Sequence, residues 1–200
     1  MLILRNLRKL YRHNLCWLDS KLSKMKNTLL VICLSFVLLP NLYAQEQESK
    51  VQWLTFEEAV EKSKTEKRKI FIDVYTDWCG WCKVMDKNTF NNEHIASILN
   101  EKFYPVKLDA EQRGDITFRG TTYKWIEGGK NGYHQLAAAL LQSKLSFPTV
   151  VFLDEDFNMI QPLPGYQKPE QFHPIITYIG EEHFKNLKWA EYQKTYVSPF

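Results

Sequence analysis

The stretch Ile70-Phe-Ile-Asp-Val-Tyr-Thr-Asp-Trp-Cys-Gly-Trp-Cys-Lys83 constrains the chain more than any other. Residues 70–75 are β-branched and aromatic, and apolar on both alternating faces except at Asp73. That is the pattern of a short central strand covered by helices. After Thr76 and Asp77 the spacing of Trp78, Cys79, Cys82, Val84 and Met85, with Lys83, Asp86 and Lys87 between, changes to that of a helix. Cys79 then stands at or just before a helix N-terminus, where unpaired N–H groups and the macrodipole favour thiolate over thiol. Cys82, three residues on, falls on the same helical face and within bonding reach.

A C-x-x-C beside a strand and a helix is a redox signal. Two other readings compete with it. A closed structural zinc site takes about four Cys or His ligands, whereas beyond residue 44 the chain has only Cys79 and Cys82. A purely structural disulfide over so small a ring would staple little, because the loop entropy it removes grows with loop length. Redox chemistry is the expected reading, with no metal and no cofactor.

The rest of the chain bounds where that chemistry operates. Two hundred residues, 44% hydrophobic and 14% aromatic, suffice for one well-packed domain and are thin for two. The formal charge of +3 is unevenly placed: residues 1–44 hold seven of the 26 bases and one of the 23 acids, leaving 19 and 22 in residues 45–200. That mildly acidic remainder gives no nucleic-acid footprint. Residues 25–44, basic at Lys26, apolar over 29–39 and ending in Ala44, have the form of a secretory signal peptide cleaved after Ala44. The apolar run is shorter than the roughly 20 residues of a membrane span, so a retained anchor is the lesser alternative. Cys33 lies inside that run, against lipid modification. Residues 1–24 fit best as a misassigned start before Met25, with a transit peptide as the weaker alternative. Export would leave Cys79 and Cys82 in a secreted or periplasmic setting where disulfides persist.

Downstream, residues 51–54 read as a short edge strand. Thr55-Phe-Glu-Glu58 is a capping box opening a helix over 56–65. A polar break over 88–92, a helix over 93–100 and a strand over 103–109 complete a βαβ unit. Residues 111–132 are the least regular, with a small hairpin around Arg119-Gly120 and a glycine-rich loop over 128–132 that lacks a phosphate-cradle pattern. A helix over 134–143, a strand over 147–154 opened by Pro148, an antiparallel partner over 159–163 and a helix over 170–178 follow. His94, His134, His173 and His183 are scattered and read as surface or helix residues. Residues 181–200 read as a helix covering the core, more readily than as a partner site.

Residues 57–180 resemble the thioredoxin superfamily over the whole core. Trp78-Cys-Gly-Trp-Cys-Lys83 is similar to that family's active-site segment, Asp73 falls where it has a buried acid, Phe147-Pro148-Thr149 resembles its cis-proline loop, and Gly165 matches the glycine after its last hairpin. Lys107 sits where the family often has a lysine near the acid. The lead-in over 57–73 and the Met85 to Phe90 stretch are similar to secreted relatives of the C-terminal domain of the transmembrane disulfide reductase DsbD. Two departures stand out: Trp81 replaces the usual Pro or His between the cysteines, and residues 111–132 are extra.

The resemblance implies an α/β thioredoxin fold over 45–180, a central mixed sheet flanked by helices, with the 111–132 insertion before the cis-Pro strand and a C-terminal extension over 181–200. It implies an exported thiol–disulfide oxidoreductase that reduces protein disulfides through a redox-active Cys79–Cys82 pair, recharged by a membrane electron donor of DsbD type. Asp73 is the candidate base for Cys82, since burial raises a carboxyl pKa; a purely structural acid is the alternative. Cys82 is expected to be the more buried cysteine. Trp78, Gly80, Trp81, Phe147 and Pro148 are the candidate substrate surface, Trp78 being equally readable as packing, with Lys107 and Thr149 in support. A disulfide oxidase or isomerase, and a redox-inert binding module using the insertion, remain open.

Overall fold

The computed structural model describes residues 50–200 except Lys130. The expectations for residues 1–24 and for a signal peptide over 25–44, with Cys16 and Cys33, lie outside the described residues.

Helix α1 (Phe56–Lys62) opens on the expected capping box: the Thr55 hydroxyl accepts from the Glu58 N–H, and the Glu58 carboxylate accepts from the Thr55 N–H. Such a cap is worth about 1 kcal/mol. The helix closes three residues before the expected end, where the Ser63 hydroxyl turns back onto the Ala59 carbonyl. Strand β1 (Lys69–Tyr75) is buried along nearly its whole length and leads, through a short loop, to α2 (Gly80–Met85). A π-helical turn (Asp86–Phe90), then α3 (Glu93–Lys102) and β2 (Phe103–Asp109), finish the first half. The predicted polar break over 88–92 is therefore corrected: helical backbone runs on through Phe90, because Thr89 and Phe90 are buried and the Thr89 hydroxyl donates to the Gln167 carbonyl at 2.6 Å.

Two hairpins follow, β3 (Ile116–Phe118) with β4 (Thr121–Tyr123), and β5 (Trp125–Ile126) with β6 (Tyr133–His134). The first turns at Arg119 and Gly120, both at positive φ, as a two-residue hairpin turn requires. Then come α4 (Gln135–Leu140), β7 (Thr149–Leu153), β8 (Met159–Pro164), α5 (Pro169–Gly180), a 3₁₀ turn (His183–Lys185) and α6 (Trp189–Thr195). The single C-terminal helix expected over 181–200 is thus two short pieces, with left-handed Glu182 breaking the chain after α5. Its apolar side is used inward: Tyr192 is buried, and its ring lies 5.0 Å from that of Tyr178 on α5.

The sheet order is β2-β1-β7-β8, parallel between β1 and β2 and antiparallel elsewhere. This is the mixed sheet flanked by helices that the sequence implied. Alternation on β1 divides the core. Ile70, Ile72 and Val74 pack with Phe56, Leu136 and Leu140 on one face. Phe71 packs on the other with Met85, Phe90, Leu99, Phe152 and Phe172. Asp73 shares the parity of Phe71, so it faces the side covered by α2, α3 and α5.

Both sheet edges have features of their own. Residues 51–54 do not form the expected strand. Leu54 makes one parallel bridge to Val106, its N–H donating to the Pro105 carbonyl at 2.8 Å and its carbonyl accepting from the Lys107 N–H at 3.1 Å. On the far edge, the Gly165 N–H points inward to the Pro148 carbonyl at 2.8 Å. By alternation Pro162 and Pro164 therefore turn their N–H-less nitrogens outward.

Candidate active site at the head of the dithiol helix

The end of β1 and the start of α2 set the cysteines. The Cys79 N–H donates to the Thr76 carbonyl at 3.1 Å, which tightens the loop. Cys79 is the N-cap of α2, its sulfur accepting from the Cys82 N–H at 3.1 Å. This is the place that the residue spacing assigned to it. The two sulfurs are joined, with S–S 2.10 Å and Cα–Cα 5.3 Å. Both cysteines are buried in this disulfide form, Cys79 at 4% exposed and Cys82 at 3%. An added Cβ at Gly80 would meet nothing within 4 Å, so the surface beside the disulfide is open.

Two exposed tryptophans flank the pair. Trp78 and Trp81 are about 60% exposed, which removes the alternative of Trp78 as core packing. Trp78 meets Phe147 edge-on at 6.0 Å, and Trp81 lies 5.4 Å from Tyr166. The Phe147–Pro148 peptide is cis. Thr149 is buried opposite Val74 and donates to the Ser146 carbonyl at 2.7 Å. Pro148, one residue before it, therefore lies level with the end of β1, where the cysteine loop departs.

Beneath the dithiol helix lies a charge network. Asp73 is 1% exposed; its Oδ2 accepts from Lys107 Nζ at 2.7 Å, while Oδ1 has no hydrogen-bond partner. Burial pushes its pKa up, the Lys107 ammonium opposes this, and the Asp86 carboxylate adds to it, leaving the group at about 6. Lys107 also donates to Asp86 and sits 4.9 Å from the rings of both Trp53 and Tyr75. Burial lowers the Lys107 pKa, but the two carboxylates outweigh it and the net shift is upward, so Lys107 stays charged.

Sequence reasoning missed three features. Asp86, one turn beyond Cys82, figures in the sequence only as a polar position of the dithiol helix, and the fold brings it to Lys107. Glu111 accepts from the Trp78 indole N–H at 2.8 Å across 33 residues. The expectation of surface or helix histidines holds at His173, which lies within α5, and is corrected at His134. His134 is fully buried, with Nδ1 accepting from the Leu136 N–H at 3.2 Å and Nε2 facing the Gly114 carbonyl at 3.1 Å. His173 is buried against Tyr196, with its Nδ1 2.5 Å from the Tyr196 hydroxyl oxygen.

Among the described residues no group of three or more His, Cys, Asp or Glu side chains is arranged to hold a metal. No helix among them is long and apolar enough to cross a membrane.

With the mixed sheet and a bridged C-x-x-C capping the helix after its central strand, the class follows: a thioredoxin-superfamily chain with a fold of the disulfide-oxidoreductase type. More narrowly, the chain belongs to the family described as Thioredox_DsbH, protein of unknown function, DUF255, whose model matches residues 39–162. It is 38% identical to uncharacterized protein B0495.5 of Caenorhabditis elegans over 117 residues, 58% of this chain and 14% of that one. It is 26% identical to Thioredoxin 1 of Chlorobaculum tepidum over 93 residues, 40% of this chain and 89% of the other. A solved structure of a putative disulphide-isomerase from Bacteroides thetaiotaomicron aligns with TM-score 0.47 and 23% identity, covering 68% of this chain and 97% of that one. The chain thus spans about one seventh of the length of its nematode relative.

Proposed function

We propose that this chain is an exported thiol–disulfide oxidoreductase that reduces disulfides in client proteins. In the reduced form the Cys79 thiolate attacks one sulfur of a client disulfide. A Cys79–client bond forms, and the second client sulfur leaves as a thiolate that takes a proton from water. Cys82 then passes its proton to the Asp73 carboxylate and attacks the Cys79 sulfur. The mixed disulfide breaks, the first client sulfur leaves as a thiolate that also takes a proton, and Cys79–Cys82 is oxidised. Two electrons have moved to the client, and a dithiol donor at the membrane, of DsbD type, restores them.

The observation that carries this reading is Asp73: a buried carboxyl brought to about 6, one oxygen unpartnered, on the sheet face beneath the dithiol helix. A group with that pKa can both take and return a proton near neutral pH. Trp78, Gly80 and Trp81 offer an open surface beside the sulfurs, and the backbone of Phe147, before Pro148, would hold an extended client segment by strand addition. Lys107 keeps Asp73 from becoming a permanently neutral acid, and Thr149 fixes the proline loop through Ser146.

The test is the reduction potential of the full chain, equilibrated in dithiothreitol redox buffers, with the state of Cys79 and Cys82 read by thiol labelling. A value near about −270 mV is expected, whereas one near about −120 mV would make the protein an oxidant. Absence of any reversible two-electron transition would remove the enzyme reading.

A further inference from the structure

The residues between β2 and α4 form two small hairpins, neither of which joins the central sheet. Their loops nonetheless reach Trp78, the residue before Cys79. Trp78 donates its indole N–H to Glu111, and the Asn131 side chain, on the β5–β6 loop, donates to the same carboxylate at 3.1 Å. Trp78 and Phe147 make one wall of a cleft of about 810 Å³; Tyr133 and Leu145 line it further, with Gly128, Gly129 and Gly132. Since Trp78 adjoins Cys79 and Phe147 adjoins Pro148, the cleft is continuous with the surface around the disulfide.

Three features define its occupant. The indole N–H is the only polar atom of a tryptophan side chain, and Glu111 already holds it, so Trp78 offers the cleft carbon surface alone. Phe147, Tyr133 and Leu145 add to that apolar lining, in a volume within the roughly 300–1,000 Å³ of sites that enclose a small ligand. Among the described residues the donors on the Glu111 carboxylate, an indole and an amide, are both neutral, so its charge disfavours an acidic occupant. The glycine wall carries no Cβ, and Gly132, at φ +73°, approaches Trp125 so closely that a Cβ would lie 2.3 Å from its ring. An extended backbone can run close along such a wall.

We infer that this cleft is a client subsite, taking a large apolar side chain that flanks the disulfide cysteine of an extended client segment and rejecting an acidic one. The inference rests on the reductase reading, because the bond to Cys79 is what brings the client segment to the cleft.

The test uses three peptides, each closed by one internal disulfide and differing only beside the first cysteine: phenylalanine, serine or glutamate. The full chain, reduced and freed of reductant, is mixed with each, and second-order rate constants are compared. Phenylalanine is expected to react tenfold or more faster than serine, with glutamate slowest. Tyr133→Ala and Leu145→Ser are each expected to pull the phenylalanine-to-serine ratio to within about twofold. Equal rates for all three peptides with the unaltered chain would overturn the subsite and leave the reductase standing, whether or not the variants fold. A preference that survives in folded variants would also overturn it, moving selectivity to the Trp81 and Tyr166 side. Failure to reduce any of the three peptides would remove the reductase reading itself, and the subsite with it.

Discussion

Asp73 is where folding and chemistry pull against each other. Its pKa rises from 3.8 to about 6. Between those values the folded chain binds more protons than the unfolded one, so this group's contribution falls as pH rises, and above pH 6 the full cost is present. A shift of about two units corresponds to about 3 kcal/mol as a ceiling. Asp73→Asn should therefore stabilise the chain by about 1–3 kcal/mol at pH 7 and by almost nothing near pH 4, read from urea unfolding at the two pH values. The same variant should slow resolution of a mixed disulfide if Asp73 takes the Cys82 proton. Asp86 supplies a second test. Its carboxylate pushes the Asp73 pKa up, so Asp86→Asn should lower the Asp73 midpoint below about 6, followed by carboxyl NMR titration.

At the scale of elements, α4 hangs on one buried side chain. His134 accepts from the Leu136 N–H and meets Gly114 of the insertion, so its neutral form both caps the helix and ties down the loop before β3. Burial lowers its pKa; the Gly114 and Tyr123 backbone contacts oppose this without reversing it. The unfolded chain then binds the proton first as pH falls through about 6.5, and stability drops in acid, opposite in sign to the Asp73 contribution. Exchange of the Leu136 amide should speed up on going from pH 7 to pH 5, after correction for intrinsic rates. His134→Ala should cost about 1–2 kcal/mol for the cap alone. Much of this level was legible in the residues. Cys79 and Cys82 declare themselves by local spacing, Asp73 and Pro148 stand out through the family resemblance, and Arg119-Gly120 announces its turn. Asp86, Glu111 and His134 do not, because what they do depends on partners 20 or more residues away: Lys107, Trp78 and Gly114. A polar sequence such as Asn88-Thr-Phe90 likewise looks like a break until Gln167 arrives to receive the Thr89 hydroxyl.

Across the whole molecule, one sheet separates two cores, and its parity decides which side sees the dithiol helix. That division was readable from β1, whereas the irregular half was not: two hairpins of two or three residues per strand carry too little periodicity to fix their pairing. The sheet also has a boundary problem. Its β2 edge is covered by Leu54, but β8 faces solvent, and there the outward positions are Pro162 and Pro164. A neighbouring copy that tried to add a strand would find acceptors with no donors between them. Replacing both prolines by threonine should leave the disulfide exchange rate unchanged. It should also produce concentration-dependent association, visible in light scattering as larger species than the native sequence gives under the same conditions. A chain whose proposed chemistry is to open other proteins' disulfides would work beside partly unfolded polypeptides, and the prolines of β8 would let contact with their loose strands end without recruitment into a shared sheet.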